Sequence, residues 1–223
     1  MAQNLRFLQF GEGIVIKLTS NGGYTHFILC TFLRIDEKLT SPNIFYNNNI
    51  GIQVAEFLFL PNYAIGIAAA SYVSRFLGAN RSDIARAITY RILLGITYMG
   101  VLGIPLWFFG ESIARWFSAD NAVVYQAGLM FKVIALFQIF NGINIILRSA
   151  LSEAGDTLIP TLFLIACAAG IMFPAAILLS QLIEPGLVGA WIGAFIYLVA
   201  LSVMIIYRYQ SNRWIVIFSL AQK

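Results

Sequence analysis

The strongest constraint in this 223-residue chain is the recurrence of nearly uncharged apolar runs of about twenty residues or more, separated by short polar breaks. A helix rises about 1.5 Å per residue, so roughly 20 apolar residues cross a hydrocarbon core of about 30 Å. The runs predict six spans: Gly13–Leu33, Ile44–Leu77, Ile88–Phe109, Val123–Leu147, Leu158–Ile183 and Leu187–Tyr207. Between them lie "RIDEKLTSPN", "GANRSDIAR", "GESIARWFSADN", "SEAGDT" and "EPG". Barrel strands would be shorter and would alternate strictly, so the predicted fold class is all-α, a polytopic bundle of six transmembrane helices. Composition agrees. The chain is 60% hydrophobic and 11% charged, where soluble domains carry about 25% charged residues. With no internal repeat, low-complexity stretch or linker, residues 1–223 are read as a single transmembrane lobe.

The motifs of soluble enzymes are missing. The "GEG" at Gly11–Gly13 does not extend to a dinucleotide fingerprint, and no phosphate-binding loop is present. One histidine and two dispersed cysteines make no metal cluster. No catalytic residue, metal or resident cofactor is expected, and the chain is read as a non-enzyme. Cys30 and Cys167 fall inside spans, where cysteine serves as a small apolar packing residue, and His26 is read as a hydrogen-bonded packing residue. Arg6 could open a signal peptide, but Glu12 and Lys17 interrupt the apolar stretch that would follow it.

Charge placement predicts orientation. One side of the predicted spans holds nine basic residues: Arg6, Arg75, Arg81, Arg86, Arg91, Arg148, Arg208, Arg213 and Lys223. The other holds three: Arg34, Lys38 and Arg115. The positive-inside rule then places both termini in the cytoplasm of a multi-pass protein of the cell inner membrane. Because these basic residues sit at span ends, the net charge of +4 is no sign of nucleic-acid binding. The arginines Arg75, Arg81 and Arg86 are expected to hold the cytoplasmic loop against anionic headgroups. Trp107, Trp116 and Phe117 on one side, and Tyr207, Tyr209 and Trp214 on the other, are candidate interfacial anchors. "ESIARWFSADN" is predicted to form a short interfacial helix, and "SEAGDT" a tight cytoplasmic turn.

Three spans carry polar stripes. In the second, Tyr46, Asn49, Gln53 and Glu56 follow steps of three, four and three, which places them on one helical face. Glu56 stands out, because a charged acid at mid-bilayer costs about 2.5–3.5 kcal/mol on insertion scales. The fourth span carries Gln138, Asn141, Asn144 and Arg148 at three-residue steps, with Lys132 earlier. The first carries Lys17, Asn21 and Tyr24. One stripe alone is weak evidence, since a packing face glued by hydrogen bonds is the alternative. Three in one bundle predict a water-filled substrate and ion pathway. The second span's 34 residues would make about 51 Å of straight helix, which predicts a bend or loosening at Pro61, where one backbone donor is missing. Gly189 and Gly193, four apart, predict a close helix–helix approach.

"PNIFYNNNIGIQVAEFLFLPNYAIGIAAASYVSRFLGANRSDIA" resembles the eighth helix and following loop of the multidrug and toxic compound extrusion (MATE) family. "LRSALSEAGDTLIP" resembles the turn after that family's tenth helix, and "GLVGAWIGAFIYL" with "YRYQSNRW" its last helix and basic tail. "NGGYTHFILCTFLR" resembles the seventh helix. The order and spacing agree from about Pro42 to Trp214, which matches the C-terminal six-helix lobe. The resemblance implies export of organic cations or amphipathic compounds by alternating access, coupled to Na⁺ or H⁺. Many relatives place carboxylates near Ser20 or Asn21 and near Asn141, where this chain is neutral, and this leaves Glu56 as the leading acid.

The family's architecture also implies partners: the lipid bilayer, a small-molecule substrate, and a second six-helix lobe, either a second copy or a separately encoded half. The chain is therefore expected to be half of a secondary active efflux transporter, possible as a truncated or split gene product. Two other readings stay open, a lipid-linked oligosaccharide flippase of the same superfamily and a non-transporting membrane remnant or scaffold.

Overall fold

The computed structural model describes residues 42–183 and 186–221, and the side chains of 42–49, 97–99, 102, 186–187 and 220–221 lie outside that description. The chain divides after Phe45 into two units, and the second, Tyr46–Lys223, is the one described below. The predicted span Gly13–Leu33 lies outside the described residues.

Among the described residues the fold is helical. In chain order, α1 is Pro42–Gly78, α2 Ser82–Leu94, α3 Ile96–Ala114 and α4 Asn121–Glu153. Next come α5 at Leu158–Cys167, a π-helical segment at Ala168–Met172 and α6 at Phe173–Leu182. Last are α7 at Gly186–Gln210 and α8 at Arg213–Ala221. Four stretches among the described residues are long and apolar enough to cross a membrane: Ile50–Gly78, Asn121–Glu153, Leu158–Leu182 and Val188–Gln210.

Helix α4 is the centre of the unit. Met130, Phe131, Ile134, Phe137, Ile146 and Leu151 bury different sides of it, and it packs most extensively against α3 and α7. A helix apolar on all sides belongs inside a bundle. The outward faces of the other helices are apolar as well. Phe57, Phe108, Ile165, Leu182 and Val203 are all exposed, which suits lipid as the surrounding solvent.

Lipid tails are as apolar as leucine, so helices in a membrane associate through close packing and interhelical hydrogen bonds. The Gly189–Gly193 spacing does this job. A Cβ on Gly193 would lie 2.7 Å from both N and Cα of Ala176 in α6, so the α6 backbone fits only against a glycine.

The predicted third span, Ile88–Phe109, is not one helix. It breaks at Gly95, whose N–H bonds back to Ile92 O at 2.9 Å in a tight three-residue turn. Glycine is the poorest helix former after proline, so the chain turns where the helix is weakest. A second irregularity follows at Phe109 (φ −112°, ψ 16°). The fifth span departs from α-helix as well. Pro174 cannot donate, and the π segment just before it shifts the bonding so that Phe173 N–H reaches Ala168 O.

Pro61 behaves differently. α1 continues unbroken through Pro61 and Tyr63 to Gly78, so the loosening predicted there does not take the form of a break. Asn62, the next residue, holds this part of α1 to α4 through its side chain.

"ESIARWFSADN" is also not a separate helix. α3 runs on to Ala114, a turn covers 115–117, and Asp120 caps α4 by accepting from Ala122 N–H at 2.9 Å. Trp116 is 84% exposed there.

Candidate functional site: an exposed acidic face and a buried polar seam

The polar stripes fall into two environments. The packing side of α1 runs through Gly51, Asn62, Gly66, Ala69 and Val73, all buried. Gly51 meets Met130 of α4 and Trp191 of α7, and Gly66 meets Ile145 of α4. Gln53 and Glu56 lie on the exposed side of α1. They share it with Phe57, Leu60, Tyr63 and Ile67, all exposed. A carboxyl beside aromatic and aliphatic groups is a surface suited to a cation with an apolar body. Tyr46 and Asn49 continue the same spacing, but their side chains lie outside the described residues, as do Lys17 and Asn21.

The α4 stripe is elsewhere. Gln138, Asn141 and Asn144 are all buried, so within this unit they form an interhelical seam rather than an open wall. Asn62 Nδ2 donates to Gln138 Oε1 at 2.9 Å and reaches the Gln138 carbonyl at 3.4 Å, which ties α1 to α4. Asn144 Nδ2 donates to Ser202 Oγ at 2.7 Å and to Phe140 O at 2.9 Å. The bond to Ser202 ties α4 to α7, and the Ser202 hydroxyl in turn donates to Leu198 O of its own helix at 2.7 Å. Such bonds between membrane helices contribute about 0.6 kcal/mol on average and up to about 1.7.

A third cluster lies where α4 turns into α5. α4 ends with Gly155 left-handed at φ +83°, Gly155 N–H bonded to Ser152 O and Asp156 N–H to Leu151 O, both at 3.0 Å. This double bond pattern closes a helix where only glycine fits without strain. It points Asp156 at α7. The carboxylate, 3% exposed, accepts from Arg208 Nε at 2.7 Å, with Arg208 13% exposed. The Gly-Asp of "SEAGDT" is therefore a clasp between two membrane helices as well as a turn.

Nearby, Trp214 of α8 is buried. Its Nε1 donates to Tyr209 O at 3.0 Å, and its ring stacks on Tyr209 at 5.2 Å. Tyr209 and Trp214, expected as interfacial anchors, are thus packing residues. Tyr207, Trp107, Trp116 and Phe117 are exposed as an anchor would be.

Sequence reasoning missed Asn62, Ser202 and the Asp156–Arg208 pair. Asn62 is six residues from Glu56, which turns it away from the exposed face, and periodicity from that face does not reach it. Ser202 and Arg208 gain their roles only through helices 50 or more residues away, a distance no local pattern reports.

These helices, seams and glycine contacts define an all-helical integral membrane protein. A model of the MatE family matches residues 48–178, and the chain belongs to that family. It is 28% identical over 168 residues to the "Probable multidrug resistance protein NorM" of Thermotoga maritima, covering 75% of this chain and 36% of that protein. It is likewise 28% identical over 166 residues to the "Probable multidrug resistance protein YoeA" of Bacillus subtilis, covering 73% of this chain and 35% of that one. The chain thus spans about a third of the length of these curated relatives. Its fold matches the crystal structure of the eukaryotic MATE transporter AtDTX14 with a TM-score of 0.81 at 19% identity, over 96% of this chain and 49% of that one.

Proposed function

We propose that this chain acts as one lobe of a secondary active multidrug efflux transporter that exports organic cations or amphipathic compounds by alternating access. It works against a second six-helix lobe, either another copy or a separately encoded half. Membership of the MatE family and the names of the relatives support a transport role. The observation that carries the reading is the exposed side of α1, where Glu56 and Gln53 stand among Phe57, Leu60 and Tyr63. An acid held at membrane depth is costly unless it meets water, substrate or a partner. Here Glu56 exchanges Na⁺ or H⁺ for a cationic substrate in the cleft between lobes, where repeat-built transporters place their sites. Asn49 and Tyr46, at the same helical spacing in the sequence, are proposed for the same role. The seam of Gln138, Asn141 and Asn144 keeps the lobe rigid while it rocks. The protein sits in the cell inner membrane with both termini cytoplasmic.

The test is reconstitution into liposomes loaded with a fluorescent organic cation, with an imposed Na⁺ or proton gradient. Gradient-dependent efflux is expected. Folded, inserted protein that moves no cation under either gradient, alone or mixed with a partner lobe, would leave the scaffold reading in its place.

A further inference from the structure

Where α2 gives way to α3, a groove lies between α2, α3, α4 and α7. It has a volume of about 530 Å³ and is lined by Tyr90, Leu94, Gly100, Ile143, Ile206 and Gln210, among others. Its two ends differ chemically. At one end Tyr90 meets Tyr209 edge to face, with ring centroids 5.9 Å apart, and Gln210 lies alongside. There the Arg86 guanidinium sits over the Tyr90 ring, 5.7 Å from its centroid. At the other end the lining is Gly100 against Ile139, with aliphatic side chains between. Ile139 to Leu147 along α4 spans about 12 Å of helix, most of the depth of one leaflet of a ~30 Å core.

Along one face of α2 the order is therefore cation, aromatic ring, then aliphatic wall: Arg86, Tyr90, Leu93 and Leu94. That order is the order of an anionic phospholipid read from headgroup to tail. A soluble organic cation would meet the wrong charge at the mouth and no polar group deeper in. We infer that the groove is a binding site for one anionic phospholipid, its phosphate on Arg86 and an acyl chain along Leu94, Ile143 and Gly100. The lipid would fill the groove and so brace α2 against α4 and α7. This site is separate from the α1 face and does not depend on what that face transports.

Gly100 gives a clean variant. A Cβ there would meet nothing closer than Ile139 Cδ1 at 3.6 Å, so Gly100→Leu fits the fold and projects into the groove. The measurement is lipid retention by the intact chain, purified from nanodiscs containing equal phosphatidylglycerol and phosphatidylcholine of matched chains and read by native mass spectrometry. The wild type is expected to keep one phosphatidylglycerol in roughly fivefold preference, the factor one arginine contributes beside an anionic headgroup. Arg86→Gln should retain lipid but lose the preference, Arg86→Lys should keep it, and Gly100→Leu should retain neither lipid. No headgroup preference in the wild type, a preference unchanged in Arg86→Gln, or full retention in Gly100→Leu would each overturn the site.

Discussion

Helices α1 and α4 are of similar length, 37 and 33 residues, and both carry polar side chains at helical spacing. Their surroundings are opposite. Over its most apolar stretch α4 is 56% buried within the unit, while α1 is 28% buried. In α4 Gln138 Oε1 and Asn144 Nδ2 are bonded to α1 and α7, while Gln138 Nε2 and Asn144 Oδ1 are buried without a protein hydrogen-bond partner. In α1 one narrow side packs and the other, with Gln53 and Glu56, faces outward. Spacing alone says that residues share a face. Whether that face is glue or working surface depends on what lies across from it, and only the packing supplies that.

The sharpest way to break this comparison is at the closest backbone approach on the buried side. Gly193→Leu places side-chain atoms where the Ala176 backbone already lies. Overpacking costs of about 1–3 kcal/mol are usual, and backbone cannot give way as a side chain can. This variant is expected to lose monodisperse protein on size exclusion in detergent. Removing the clasp comes next. Asp156→Ala leaves Arg208 with its charge and without that carboxylate, an effect of about 1.5–3 kcal/mol, read as a lower thermal unfolding temperature of the purified protein. Asn144→Leu takes away the bond to Ser202 and should cost about 0.6–1.7 kcal/mol by the same measurement. At the bottom of the scale, Glu56→Gln on the exposed side should change stability by less than about 0.5 kcal/mol.

Much of the fold was legible because length and hydropathy are local. The spans predicted at Ile44–Leu77, Val123–Leu147, Leu158–Ile183 and Leu187–Tyr207 match α1, α4, α5 through α6, and α7 to within a few residues. Longer extensions beyond those limits, such as Leu147 to Glu153, are helix that continues into polar sequence. The third span is divided between α2 and α3 because a single glycine inside an apolar run reads as tolerable in sequence, yet here it ends a helix. Pro61 and Pro174 show the same limit from the other side. Each removes one donor, but α1 runs on through Pro61 while a π turn forms ahead of Pro174. Trp214 was misplaced because an aromatic beside arginines at a span end has the composition of an interfacial anchor, and its burial depends on the α8 turn at Asn212, left-handed at φ +55°. Of the candidate site, the exposed pair Gln53 and Glu56 came from periodicity. The partners of Gln138 and Asn144 did not, since both bonds are made across helices.

The most direct test of the account compares Glu56→Gln with Asn144→Leu for both thermal stability and gradient-driven efflux of an organic cation from proteoliposomes. Glu56→Gln keeps shape and hydrogen bonding but cannot ionise. The account predicts that it unfolds at the wild-type temperature and exports at background level. Asn144→Leu should unfold earlier and, at a temperature where it stays folded, still export. Ion-coupled export unchanged in Glu56→Gln would remove that residue, and the exposed face of α1 with it, from the mechanism.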